Sequence, residues 1–157
     1  MRVKSTVGVI TCALIMLGGA GCGGGGDRLS APGYAREASR ICASANRQIE
    51  RMSIPPAART HSIARMVRRI LVIERASVDG LRGLRPPTQL GSLTQRWIAL
   101  LDQTADELEL LRGNLTGNEP ARAAEYAAHS WILSERARAL VAPHGVTSCR
   151  VPRLPVT

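Results

Sequence analysis

Two carboxylates stand where a plain helical bundle would place apolar side chains. Glu74 falls in an arc with Ile63, Val67, Ile70, Val78 and Leu81, and Glu135 in an arc with Ala124, Ala128, Trp131 and Ile132. A carboxylate taken out of water is costly unless something compensates it, so each calls for an arginine, a ligand or a metal. One outcome is a polar site inside the bundle for a small cationic ligand or a metal ion. The plainer outcome is that each residue reaches the bundle edge or pairs with an arginine such as Arg138. A di-iron carboxylate centre would need Glu-x-x-His on two helices, and that spacing does not occur. The histidines, His61, His129 and His144, are scattered; His129 follows Glu125 by one helical turn, which makes at most one side of a site. There is no Gly-x-Ser-x-Gly and no phosphate loop. No catalytic residue, metal or cofactor is therefore assigned, and a non-enzymatic role is expected.

The arginines are the second group that could do chemistry. Arg36, Arg40, Arg47 and Arg51 fall on one side of the first helical segment, and Arg65, Arg68, Arg69 and Arg75 on one side of the second. Such faces are commonly just solvated, but beside an anionic surface each basic residue contributes on the order of 1 kcal/mol. The chain carries a net charge of +9. Lys4 is its sole lysine, and Ala and Gly are abundant; the arginine excess therefore reads as the codon bias of a GC-rich genome rather than selection for bidentate recognition. Phe is absent and aromatics make up 3% of the chain, so no stacking platform for single strands can be built and nucleic acid is not expected. Anionic lipid or an acidic wall polymer is the expected partner.

Four amphipathic segments must position these residues. The first spans about 32–52, with Tyr34, Ala38, Ile41, Cys42, Ala45, Ile49 and Met52 at three- and four-residue steps. The second starts at 57 or 61 and ends at 84, before Arg85-Pro86-Pro87, because a residue preceding proline leaves the helical region. The third opens on Thr88 as N-cap, carries Leu90, Leu93, Trp97, Leu100, Leu101, Leu108 and Leu111, and closes on Gly113 at C′. The fourth starts with Asn118 as cap and Pro120 in its first turn, and runs to about Val141 with Trp131, Ile132, Leu133 and Leu140. Short links between such helices predict an all-α, antiparallel up-down four-helix bundle over 31–142, with a tail over 143–157.

The N-terminus is basic at Arg2 and Lys4, apolar over 7–17, small at Gly18-Gly19-Ala20-Gly21, and then reads Cys22 followed by four glycines. This order resembles the type II signal peptide of bacterial lipoproteins. Ala20 and Gly21 match that pattern, while Gly19 stands where leucine is usual. The resemblance implies a signal peptide over 1–21, lipidation of Cys22, a flexible tether over 22–30 and an extracytoplasmic, membrane-anchored location; a plain secreted protein is the alternative. A six-residue glycine-rich coil would hold the domain within about 15 Å of the lipid. Removing Arg2 and Lys4 leaves 19 basic and 12 acidic side chains, a mature charge of about +7.

The same signal sorts the cysteines. It removes Cys12 and claims Cys22, leaving Cys42 and Cys149 as a pair in an oxidising compartment, where a disulfide is the default. Such a bridge would tie the tail to the first helix. A zinc site has no nearby histidine to draw on, and a nucleophilic thiol would leave the second cysteine unexplained.

Within the mature part, the run Cys42-Ala43-Ser44-Ala45-Asn46, the break Leu84-Arg85-Pro86-Pro87, Trp97 and the late Cys149 resemble small exported helical lipoproteins of high-GC bacteria. That resemblance implies a lipoprotein and transfers no catalytic residue.

Overall fold

A computed structural model describes residues 28–52, 59–146 and 150–154. The expected signal peptide and tether up to residue 27, with Cys12 and Cys22, lie outside the described residues, as does Cys149. The described chain is a bundle of four helices, and no strand forms within it.

Helix α1 spans Ala31–Glu50. Ser30 caps it, its Oγ accepting from the Gly33 N–H at 3.2 Å, and Pro32 supplies a preset φ where no intrahelical donor is required. Tyr34, Ala38, Cys42, Ala45 and Ile49 form its buried stripe. Helix α2, Thr60–Arg82, buries Ala64, Val67, Ile70, Leu71, Glu74, Val78 and Leu81. It passes close to α1 at Gly80, where an added Cβ would lie 3.4 Å from Ile41 Cδ1.

Three helix ends differ from the sequence expectation. Thr88 does not cap the third helix; Thr88–Leu90 form a 3-10 turn that leads into α3, Gly91–Thr116. Gly113 does not end α3, which continues to Thr116 and buries Leu115. Burial of that leucine on the α3 stripe outweighs the weak helix propensity of glycine. Asn118 does not cap the fourth helix, α4, Pro120–Val141; it takes a left-handed φ of 58° and makes the turn, while Glu119 occupies the cap position.

The buried face of α4 also differs from the one built on its large side chains. Ala123, Ala127, Ser130, Ser134, Ala137 and Val141 point inward, whereas Trp131 is half-buried and Ile132 is exposed. Small residues let two helices approach closely, and α3 with α4 is the most extensively packed pair. The α2–α3 pair follows, and α1–α2 is the slightest of the three.

Two apolar clusters make the core. One joins Ile49 of α1, Ala64, Met66, Val67, Ile70 and Leu71 of α2, Leu108, Leu111 and Leu115 of α3, and Ala123 and Ala127 of α4. The other joins Tyr34, Ala38 and Cys42 of α1, Val78 and Leu81 of α2, Trp97 and Leu101 of α3, and Ala137 and Val141 of α4. The chain after α4 belongs to both. Gly145, at φ 79°, turns it back; its carbonyl accepts from Ser39 Oγ of α1 at 3.4 Å. Val146 joins the second cluster, and Val151 and Leu154 join the first. The described parts of the tail thus meet α1 at Gly145 and α4 at Val151 and complete the core as a fifth strip.

Candidate functional site

Between the two clusters the buried positions turn polar or small. Glu74 of α2, Thr104 of α3 and Ser130 and Ser134 of α4 are buried there, with Ala45 on α1. Three of the four polar groups are satisfied locally. Thr104 Oγ1 donates to the Leu100 carbonyl at 2.8 Å, Ser130 Oγ donates to the Ala127 carbonyl at 2.9 Å, and Ser134 Oγ accepts the Val151 N–H at 2.9 Å. Glu74 is different. It is 9% exposed and makes no hydrogen bond or ion pair among the described residues. Burial raises its pKa to about 7, since the charged form has lost water and gained nothing in return.

Glu135 is not its partner. The Glu135 carboxylate is about one-third exposed and accepts from Arg138 Nε at 3.1 Å and Nη2 at 2.6 Å. That hydrogen-bonded guanidinium holds its carboxyl below the usual range, aided by the charge of Arg150. Inter-helix contacts give the relative heights. Arg75, next to Glu74, meets Glu109 of α3 at 3.7 Å; Glu107 of α3 meets His129 of α4 at 3.8 Å. Glu135 lies six residues beyond His129, or about 9 Å further along the axis of α4. No hydrogen bond or ion pair joins Glu74 to Glu135 among the described residues. Nor does any group of three His, Cys, Asp or Glu side chains there come together as a metal site.

The seven expected surface arginines are all exposed, but they do not make one patch. Arg36 and Arg40 flank Tyr34 and Ala38, at the end of the bundle built on the second cluster. Arg47 and Arg51 neighbour Ile49, and Arg65, Arg68 and Arg69 neighbour Ala64, Val67 and Ile70, at the other end. Arg40 is paired with Glu37 at 2.9 Å. The other six make no ion pair among the described residues.

One feature was beyond the reach of sequence reasoning. His61, Ala64, Arg65 and Arg68 of α2 and Arg112 and Thr116 of α3 line a groove of about 450 Å³. His61, Arg65 and Arg68 are spaced to share a helix face, a signal present in the chain, but Arg112 joins them only through the α2–α3 register.

No described helix is long and apolar enough to cross a membrane. Comparisons with protein-family models, with curated proteins and with solved structures give no match for this chain.

Proposed function

We propose that the protein is an extracytoplasmic lipoprotein, anchored through Cys22, whose helical bundle is a non-enzymatic binding module at the cell envelope. The observation that carries the binding role is the concentration of exposed arginines, Arg47, Arg51, Arg65, Arg68 and Arg69, that make no ion pair among the described residues at one end of the bundle. Charge of one sign left uncompensated on a surface attracts an anionic counterpart. The partner on this reading is anionic lipid or an acidic wall polymer. The anchoring rests on the order of residues 1–26.

Two architectural readings belong with it. The helices are taken as an antiparallel up-down bundle. Supporting this, Arg75 pairs with Glu109 while Arg82 pairs with Asp102, so positions advance along α2 as they retreat along α3. Cys42 is taken as bridged to Cys149. Supporting this, the Ser39–Gly145 contact brings the chain after α4 to α1 one turn before Cys42.

The second reading, a small cationic ligand or metal in the bundle core, draws on the burial of Glu74 alone, since Arg138 already occupies Glu135.

The test has two parts. Mass spectrometry of the protein isolated from its native membrane should find a diacylated Cys22 and no residues before it; an unmodified N-terminus would refute the anchor. The mature chain from residue 22, made with Cys22→Ser so that no acyl group can insert, should bind vesicles containing phosphatidylglycerol and release at high salt. Equal binding to phosphatidylcholine vesicles would refute an electrostatic surface.

A further inference from the structure

The geometry points to a phosphate site in the groove lined by His61, Arg65, Arg68, Arg112 and Thr116, where the start of α2 meets the end of α3. This inference rests on the binding-module reading and narrows it from a general anionic surface to one chemical group at one place.

Charge inside the groove is unevenly compensated. Arg112 donates to Glu109 through Nε at 3.1 Å and through Nη2, and Glu109 also meets Arg75 at 3.7 Å. That carboxylate therefore holds Arg112 in place and offsets its charge. Arg65 and Arg68 line the groove and have no acid on them among the described residues, so they leave it with uncompensated positive charge. The start of α2 adds the positive end of its dipole, and the end of α3 adds a negative one, so the helix ends roughly cancel and the arginines decide the sign. The Thr116 hydroxyl donates to the Gly113 carbonyl at 2.8 Å, which leaves its oxygen as lining rather than as a donor to a ligand.

The arginines also suit phosphate in shape. A guanidinium presents paired N–H groups that match two oxygens of a tetrahedral oxyanion, which a spherical anion cannot exploit. Arg65 and Arg68 of one helix supply the uncompensated charge, and Arg112 of another, already held by Glu109, lines the opposite wall. Ala64 lies among them and adds little bulk. The groove is open to solvent, so a phosphate can enter together with the group that carries it. His61 lies one turn before Arg65 on the same face and can donate a further hydrogen bond from its ring. The shared chemistry is the phosphate group, whether free or on a lipid headgroup.

The full chain in detergent is titrated with inorganic phosphate and, as a spherical control, with chloride at matched ionic strength, following arginine Nε–H and backbone amide resonances. Expected is saturable binding of phosphate that perturbs α2 over 61–68 and weakens about ten- to thirtyfold in R65A/R68A. The double variant R36A/R40A, at the far end of the bundle, should bind as the parent does. Vesicles of phosphatidylglycerol, offered without detergent to the mature chain carrying Cys22→Ser, form the second arm. If inorganic phosphate displaces the chain from them and R65A/R68A abolishes the displacement, the phosphate is that of a lipid. If phosphate saturates the groove while vesicle binding is indifferent to R65A/R68A, the ligand is free phosphate, and the site stands. Phosphate binding that does not saturate, that chloride matches, or that R36A/R40A weakens equally overturns the site. With the site overturned, persistent vesicle binding would leave the broader surface reading intact; conversely, saturable, R65A/R68A-sensitive phosphate binding without vesicle binding would remove the surface reading and keep the groove.

Discussion

The backbone N–H of Val151 donates to the hydroxyl of Ser134 at 2.9 Å, in a site buried on both sides. This bond anchors the returning tail to the middle of α4. Ser134→Ala would leave a buried amide without its acceptor, a loss of about 1–3 kcal/mol. Urea unfolding should show a lower midpoint with the slope unchanged. A midpoint equal to that of the parent would mean that the tail contributes nothing to the cooperative unit.

Glu74 sets a pH dependence whose sign follows from its burial. Its pKa stands at about 7 in the fold against an ordinary 4.5, so the native state holds this proton more tightly than the unfolded chain does. The stability linked to it is complete below pH about 4.5 and is lost as pH rises through about 7, a decrease of about 3 kcal/mol. Glu74→Gln imitates the protonated form. It should unfold at higher urea than the parent at pH 8 and at nearly the same urea at pH 4. A parent whose stability rises between pH 5 and pH 8 relative to this variant would contradict the assignment.

Gly113 and Gly145 should respond in opposite directions to alanine. A Cβ at Gly113 meets nothing within 4 Å, and the residue lies inside α3, so Gly113→Ala should stabilise by up to about 1 kcal/mol. Gly145 has φ 79°, where a side chain costs about 1–2 kcal/mol, so Gly145→Ala should destabilise. Paired thermal melts separate the two; a common direction would contradict the helix boundary at Thr116 or the turn at Gly145.

For Cys42, labelling of the unreduced, denatured chain followed by peptide mapping should leave this sulfur unmodified until a reductant is added. Cys42→Ser should cost about 4 kcal/mol on the chain-entropy account for a loop of roughly a hundred residues. Labelling of Cys42 without reduction would eliminate the proposed bridge to Cys149.

Sequence periodicity was enough to locate all four helices, because each carries a stripe at helical spacing. It misplaced ends where a local signal competed with packing. Gly113 reads as a stop until the buried Leu115 beyond it is known. It misjudged the face of α4, because a wheel weighted by hydrophobicity favours Trp131 and Ile132, whereas close contact with α3 favours Ala123, Ala127 and Ala137. Glu74 and Glu135 looked alike on their wheels. What separates them is Arg138, one turn from Glu135 and able to reach it, whereas no such cation pairs with Glu74 among the described residues. The tail has no periodicity, so Val151 and Leu154 gave no sign that they would be buried. The groove needs Arg112, and a residue from a second helix is invisible until the register between helices is known.

The fifth strip of the core has a consequence in time. Most contacts in a helical bundle are between near neighbours along the chain, and such folds form quickly. Here α2, α3 and α4 can assemble on that basis, but α1 packs slightly on α2 and meets the tail at a separation of 106 residues. Closure between distant segments is slow relative to helix formation. The expected order is a three-helix nucleus first, with α1 and the tail locking together afterwards. Until they do, Ile49, Val151 and Leu154 stay in water and the first cluster is open along one side. A chain still in that open state presents an unfinished core until the lock is set.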